Sequence, residues 1–122
     1  MRRILVTEDS ATMRSLLIST IESCGDYEVV EAASGFEALR LLPRERVDLI
    51  ITDINMPDIN GLELIRYVRN NESYADTPLF IISTEGREKD VEKGLALGAN
   101  EYLVKPIDPG RLQELIVKYI GS

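Results

Sequence analysis

The sequence predicts an α/β protein in which a parallel sheet of five strands is covered by helices on both faces. Short apolar runs alternate with helical patterns along all 122 residues, without a linker, repeat or low-complexity stretch. The run at residues 47–52 has no alternation of polar residues, which indicates a strand covered on both faces. The length suits one domain, so we expect residues 1–122 to form a single unit.

The five predicted strands are short segments rich in Val, Ile, Leu and aromatic residues. Polar, glycine or proline residues bound most of them, as expected for turns. In chain order they lie at residues 3–7, 28–32, 47–52, 79–82 and 102–104.

The first two helices are predicted by an apolar stripe and by a cap. The first helix is indicated by apolar residues at helical spacing, which are Met13, Leu16, Leu17, Ile21 and Cys24, and it ends at Gly25. Cys24 is expected to be a buried core thiol on this helix. Ser34 and Glu37 form a capping box for the second helix, which ends near Pro43.

The other three helices follow the same logic. The third begins after Gly61, and its stripe consists of Leu62, Ile65 and Val68. The fourth is polar, spans residues 88–97, and has Gly98 as its C′ residue. The fifth has Asp108 as N-cap and Pro109 in its first turn, and its stripe consists of Leu112, Leu115, Ile116 and Tyr119.

Composition excludes several functional classes. The formal net charge of −7 disfavours direct binding of nucleic acid, because phosphate contacts require clustered Lys and Arg. The chain has no histidine, which excludes histidine metal sites and histidine general bases, and its single cysteine excludes an internal disulfide. No apolar stretch is long enough for membrane insertion and no signal peptide is visible, so we expect a cytoplasmic protein.

Polar side chains gather at the carboxyl ends of the predicted strands, which share one edge of a parallel sheet. These residues are Glu8, Asp9, Asp53, Ser83, Thr84 and Lys105. Three carboxylates repel one another, and Mg²⁺ is the cation that best fits such a set because it prefers oxygen ligands and retains waters. Taken separately, the acids are also suited to capping a helix and the hydroxyls to forming turns.

The order and spacing of these residues resemble the receiver domain of two-component response regulators, over the whole chain. The resemblance is carried by residues 8–14 (EDSATMR), 53–57 (DINMP) with Gly61, 83–84 (ST), 98–102 (GANEY) and 105–106 (KP). It implies the doubly wound, flavodoxin-like fold with strand order 2-1-3-4-5. It further implies a signalling phosphoacceptor rather than an enzyme.

The resemblance assigns a role to each site residue. Asp53 would accept a phosphoryl group from the phosphohistidine of a sensor histidine kinase or a histidine phosphotransfer protein. Lys105 would pair with Asp53 and then with the phosphoryl group, while Ser83 would donate a hydrogen bond to it. Mg²⁺ would be held by Asp53 and by the residues Glu8, Asp9 and the backbone carbonyl of Asn55.

The family also switches conformation, and here Ser83 and Tyr102 would be the switch residues. Tyr102 would rotate inward and change the surface of the fourth helix, fifth strand and fifth helix for an unknown downstream protein target. Two positions depart from the common pattern: Glu8 stands where aspartate is frequent, and Thr84 where a smaller residue is usual. The longer acid could alter the affinity for metal and the bulkier Thr84 could restrict access of water, so the lifetime of the phosphoryl group is not predicted.

Several interpretations remain open at this stage. The chain resembles a stand-alone chemotaxis-type regulator, but it could equally be cut from a longer regulator with a DNA-binding or enzymatic output domain. A Mg²⁺-dependent phosphatase is disfavoured because Asn55 cannot act as a general acid. A receiver-like binding module that is never phosphorylated is disfavoured because the chain has every polar residue expected for a phosphorylation site. We expect a monomer or a weak phosphorylation-dependent dimer, with kinase contacts at Thr12, Met13 and Pro106.

Overall fold

Strands and helices alternate along the computed structural model, which describes residues 1–121. The strands are β1 (Arg2–Thr7), β2 (Tyr27–Ala32), β3 (Leu49–Asp53), β4 (Leu79–Ser83) and β5 (Glu101–Val104). The helices are α1 (Ala11–Glu22), α2 (Gly35–Leu41), α3 (Gly61–Asn70), α4 (Glu88–Ala96) and α5 (Pro109–Ile120). The predicted α/β class is confirmed.

The five strands form one parallel sheet in the order β2-β1-β3-β4-β5. This confirms the predicted order 2-1-3-4-5. The central strands β3 and β4 are buried along their whole length, as their uninterrupted apolar sequences require. Because all strands run the same way, their carboxyl ends lie at one edge of the sheet. The strand order changes direction between β1 and β3, which is the position where sheets of this kind form a crevice.

Two hydrophobic cores lie on opposite faces of the sheet. The first contains buried residues of α1 and α5, among them Leu17, Ile21, Leu112 and Ile116. The second is built by α2 and α3, with residues such as Ala38, Leu64, Ile65 and Val68. Alternate residues of each strand enter opposite cores, so the sheet is doubly wound. None of the helices described is both long and apolar enough to cross a membrane.

Side-chain caps fix the starts of four helices. Ser10, Ser34, Asn60 and Asp108 each accept a hydrogen bond from a backbone N–H in the first turn of α1, α2, α3 and α5. At the end of α4, Gly98 has a φ of 118°, a conformation that glycine adopts at little cost. The caps predicted at Ser34, Gly98 and Asp108 are therefore confirmed.

The third strand differs from its predicted bounds of 47–52. The strand begins at Leu49. The residue before it, Asp48, makes two hydrogen bonds with the backbone of Arg3: the Asp48 N–H donates to the Arg3 carbonyl at 2.7 Å, and the Asp48 carboxylate accepts from the Arg3 N–H at 2.9 Å. At the other end the strand includes Asp53, which lies opposite Ile82 in the ladder with β4. The acid is thus held by the sheet itself.

Two helical stripes were assigned partly wrongly. Leu16 is 48% exposed, so it does not face the core, and Cys24 lies beyond the end of α1 and is only partly buried. In α3, Leu64 is fully buried while the predicted Leu62 is only partly so. The buried face of α3 is thus formed by Leu64, Ile65 and Val68 together with Gly61, which places it slightly away from the predicted stripe.

Candidate functional site

Asp53 ends β3 as a nearly buried carboxylate with only 4% of the residue exposed. Its Oδ1 accepts a hydrogen bond from the Asn55 N–H at 3.1 Å, and its Oδ2 lies 3.2 Å from the Lys105 Nζ. A buried carboxylate stays charged only where it has such partners. Asp53 is therefore oriented by the loop that follows it and neutralised by a residue from another strand end.

The acid pair follows β1 directly. Glu8 is 1% exposed, its Oε1 lies 2.8 Å from the Lys105 Nζ, and its Oε2 accepts from the Ser10 N–H at 3.1 Å. Asp9 is exposed. One carboxylate oxygen from each of Glu8, Asp9 and Asp53 lies within 4.8 Å of the others, so this cluster could hold a metal ion.

Lys105 bridges two of these carboxylates from the end of β5. Burial acts to lower the pKa of Lys105, but the hydrogen bond to Glu8 and the charges of Asp53 and Glu8 outweigh it, so the pKa lies above its ordinary value. The ammonium is consequently charged at neutral pH. It is the cationic partner of Glu8 and Asp53 in the described part of the chain.

The end of β4 supplies the hydroxyl predicted for the site. Ser83 is fully buried, its Oγ accepts a hydrogen bond from the Glu85 N–H at 2.9 Å, and its carbonyl accepts from the Lys105 N–H at 2.7 Å. The backbone contact holds the ends of β4 and β5 together. Thr84, the next residue, is exposed.

Tyr102 lies on β5, away from the carboxylates. Its hydroxyl donates to the Glu85 carbonyl at 2.5 Å, and its ring packs near Gly94 of α4, where an added Cβ would lie 3.1 Å from a ring carbon. Tyr102 is only half-buried in this position. Since Glu85 also contacts Ser83, one loop connects the two predicted switch residues.

Two residues that support the site were not assigned a role from sequence. Arg14 of α1 donates from Nη1 to the Glu8 carbonyl at 2.7 Å and from Nε to Glu31 at 3.1 Å, which fixes the backbone of the acid pair. At Gly61, a Cβ would lie 2.4 Å from the Asp53 carbonyl oxygen. Only the absence of a side chain lets α3 start against the Asp53 loop.

The residues predicted as kinase contacts differ in accessibility. Thr12 and Pro106 are exposed, whereas Met13 is partly buried and packs against the first core. Asn55 is exposed beside Asp53. The carboxylate cluster lies apart from a surface depression of about 770 Å³, which is lined by residues such as Arg46, Asn71 and Pro78 near the start of β3 and β4.

The profile of the response regulator receiver domain matches residues 4–117. Together with the parallel five-stranded fold and the acidic cluster at its carboxyl edge, this match shows that the chain belongs to the response regulator receiver domain family. Members of this family are signalling phosphoacceptors in two-component systems, and they interact with histidine kinases and downstream targets rather than turning over external substrates.

Individual relatives agree with the family. The chain is 41% identical over 121 residues to a chemotaxis protein CheY homolog of Campylobacter jejuni, covering 98% of this chain and 93% of that protein. It is similar to the structure of the chemotaxis response regulator CheY4 of Vibrio cholerae, with a TM-score of 0.90, 36% identity and coverage of 98% and 99%. It also resembles the receiver domain of the Pseudomonas aeruginosa sensor histidine kinase PA1611, which has magnesium coordinated in its active-site cleft, with a TM-score of 0.88, 30% identity and coverage of 99% and 98%.

Proposed function

We propose that Asp53 accepts a phosphoryl group from the phosphohistidine of a sensor histidine kinase or a histidine phosphotransfer protein. The observation that carries this proposal is the convergence of Asp53, Lys105 and the acid pair at one sheet edge. Asp53 is oriented by the Asn55 N–H and by Lys105, at the edge of the sheet where the strands end. Because the chain has no histidine, the phosphohistidine donor belongs to a partner protein.

The transfer needs no proton from Asp53. A carboxylate oxygen attacks phosphorus, the bond between phosphorus and the histidine nitrogen breaks, and the nitrogen leaves with the electron pair. The product is an acyl phosphate on Asp53 and a free histidine on the partner. Charge spreads over the phosphoryl oxygens during the transfer, so electrostatic stabilisation and positioning are what the site must supply.

The donor set fits Mg²⁺. Carboxylate and carbonyl oxygens are its preferred ligands, and one or two carboxylates with several waters suit it better than a full protein cage. We assign direct ligation to Asp9, Asp53 and the backbone carbonyl of Asn55, and a contact through water to Glu8. When bound, the cation neutralises charge that develops on the phosphoryl oxygens.

Lys105 and Ser83 complete the stabilisation. Lys105 already lies within ion-pair distance of Asp53 Oδ2, so a short movement would bring its ammonium to a phosphoryl oxygen. Ser83 Oγ accepts from Glu85 but has its own O–H to donate. A phosphoryl group, with about −1.5 to −2 charge, would attract both donors.

The same movement supplies a switch. A displacement of Ser83 toward the phosphoryl group would pull the loop that carries Glu85, and with it the carbonyl that holds the Tyr102 hydroxyl. Tyr102 would then rotate inward and alter the surface formed by α4, β5 and α5. Thr12, Met13 and Pro106 are proposed contacts of the kinase. The proposed setting is the cytoplasm, with a separate protein as the downstream target.

The test uses phosphorylation by a small donor and by its analogue. Acetyl phosphate or beryllofluoride, with Mg²⁺, should shift the amide NMR signals of Asp53, Ser83 and Tyr102 in the wild type. Asp53→Asn should abolish the response because the amide is not a nucleophile, while Asp48→Asn, at the opposite end of β3, should leave it intact. An unresponsive wild type would refute the proposed function.

A further inference from the structure

Phe36 is an aromatic residue that folding leaves in solvent at the start of α2. It is 62% exposed, more than Leu16, Leu95 and Val117, the exposed large apolar residues of the other described helices. A phenyl ring in water forgoes the free energy that its burial would supply. A single exposed apolar residue is common on protein surfaces, so the significance of Phe36 depends on where it lies and how it is held.

Hydrogen bonds to the first turn of α2 fix the backbone that carries Phe36. Asp58, in the loop after β3, accepts the Gly35 N–H at 3.2 Å and the Phe36 N–H at 3.0 Å. Ser34 Oγ accepts the Glu37 N–H at 3.1 Å. The bond from Phe36 is the main cause that lowers the pKa of Asp58, so this acceptor is charged at neutral pH. Since these N–H groups are engaged, the start of α2 offers a partner an apolar ring rather than free donors.

Two close contacts connect the start of α2 to the phosphoacceptor. A Cβ at Gly35 would lie 1.6 Å from Ile59 Cγ2, so the absence of a side chain lets Ile59 lie against the first turn of α2. Two residues further along the same loop, a Cβ at Gly61 would lie 2.4 Å from the Asp53 carbonyl oxygen. The ring of Phe36 is therefore presented from a backbone whose position is tied to that of Asp53.

A protein that delivers a phosphoryl group to Asp53 has to cover the surroundings of that residue. Asp53 is nearly buried at the end of a central strand, with α1 and α5 on one face of the sheet and α2 and α3 on the other. A standard interface buries about 800 Å² on each partner, which is a patch roughly 30 Å across. An interface of this size centred on Asp53 reaches the start of α2 as well as the start of α1.

We propose that Phe36 is a docking residue for the protein that carries the phosphohistidine, and that an apolar side chain of this partner packs on the ring while the phosphohistidine lies over Asp53. The proposal rests on the proposed function, since it requires a donor protein at the strand ends. An aromatic side chain on a fixed backbone adds binding energy at a small cost in conformational entropy. Phe36 thus favours a protein donor over a small one, which does not reach α2.

Phosphotransfer from two donors tests the proposal. The protein donor is the histidine kinase or phosphotransfer protein of the host that phosphorylates the wild type fastest, and the small donor is acetyl phosphate with Mg²⁺. With the protein donor, Phe36→Ala should lower kcat/KM by about five- to thirtyfold, mainly through a higher KM. With acetyl phosphate, the rate should remain that of the wild type. An unchanged kcat/KM with the protein donor would overturn the proposal.

Matched variants separate docking from a general effect on the fold. Phe36→Leu retains an apolar side chain and should restore most of the transfer, whereas Phe36→Ser should behave like Phe36→Ala. Val117→Ala removes an apolar side chain of similar exposure to solvent near the end of α5 and should not affect either donor. Because these positions are exposed, the variants should retain the wild-type melting temperature, which circular dichroism measures. A leucine variant as poor as the serine variant would contradict an apolar contact.

The remaining outcomes distinguish docking from other roles of the ring. A wild-type dimer that Phe36→Ala dissociates, measured by sedimentation, would assign the ring to a contact between copies and overturn the proposal. An equal loss of reactivity with both donors would place the effect of Phe36 at Asp53 itself and would also overturn it, while the phosphoacceptor function stands. If neither donor modifies the wild type, the proposed function itself fails.

Discussion

Lys105 illustrates how much a single residue depends on its surroundings. In the sequence it is a lysine that precedes a proline, and such a lysine can equally well pair with a carboxylate or extend into solvent. In the structure it joins Glu8 of the β1 end to Asp53 of the β3 end. The closer approach of Lys105 to Glu8 than to Asp53 depends on distances that the spacing of residues in the sequence does not encode.

The raised pKa of Lys105 predicts a stability effect at alkaline pH. A group with a higher pKa in the folded protein contributes stability fully below its unfolded pKa of about 10.4, and this stability is lost as pH rises through the folded value. We therefore expect the free energy of unfolding of the wild type to fall more steeply with pH above about 10 than that of Lys105→Met.

Urea titrations at a series of alkaline pH values would measure this difference. The tyrosines with raised pKa, such as Tyr74, lose stability in the same direction but are present in both proteins, so they cancel in the comparison. Lys89→Met, with an exposed lysine, should retain the wild-type slope. Identical slopes for the wild type and Lys105→Met would contradict the assignment.

At the scale of elements, Arg69 joins the end of α3 to two other segments. Its guanidinium donates to the carbonyls of Thr77 at 2.7 Å and Gly98 at 3.0 Å, and to Asn100 Oδ1 at 3.0 Å. Burial is the main cause that lowers its pKa. Arg69 thereby anchors the turn between α4 and β5, next to the proposed output surface.

Arg69→Ala should destabilise the protein by about 2–4 kcal/mol, because several partly buried carbonyls lose a charged donor. Arg66→Ala, on the same helix, removes a 57%-exposed arginine paired with Glu63 and should cost less than about 0.5 kcal/mol. Chemical denaturation of the two variants gives the comparison. Similar losses would show that Arg69 does not act as an anchor.

Two helix glycines should respond in opposite ways to alanine. At Gly94 of α4 a Cβ would lie 2.6 Å from Ile81 Cδ1, so overpacking should cost about 1–3 kcal/mol despite the better helix propensity of alanine. At Gly110 of α5 the nearest atom would be at 3.4 Å, so alanine should stabilise by up to about 1 kcal/mol. Thermal unfolding of both variants tests the contrast, and a gain at Gly94 would contradict it.

For the molecule as a whole, the acidic cluster and the net charge of −7 predict stabilisation by Mg²⁺. A ligand that binds only the folded state raises its stability, by about 2.7 kcal/mol at 100 times its Kd. The melting temperature should therefore rise with Mg²⁺ at constant ionic strength. Asp9→Asn should lose most of this rise, whereas Asp26→Asn, remote from the cluster, should retain it. A rise of equal size in all three proteins would indicate nonspecific screening.

The sequence alone determined the fold class and the strand order. Apolar runs, caps and turns act over a few neighbouring residues, so local patterns are sufficient to place most elements, and the family motifs supply the order. Errors arose where burial depends on neighbours from elsewhere in the chain, as at Leu16, Leu64 and Cys24.

Only the tertiary structure decided how the site residues engage one another. Glu8 and Lys105 are 97 residues apart, and their contact exists because β1 and β5 end at the same edge of the sheet. The support of Glu8 by Arg14, the close approach of Gly61 to Asp53, and the bond from Tyr102 to Glu85 have the same origin. Pairwise distances follow from packing, and packing is a property of the whole chain.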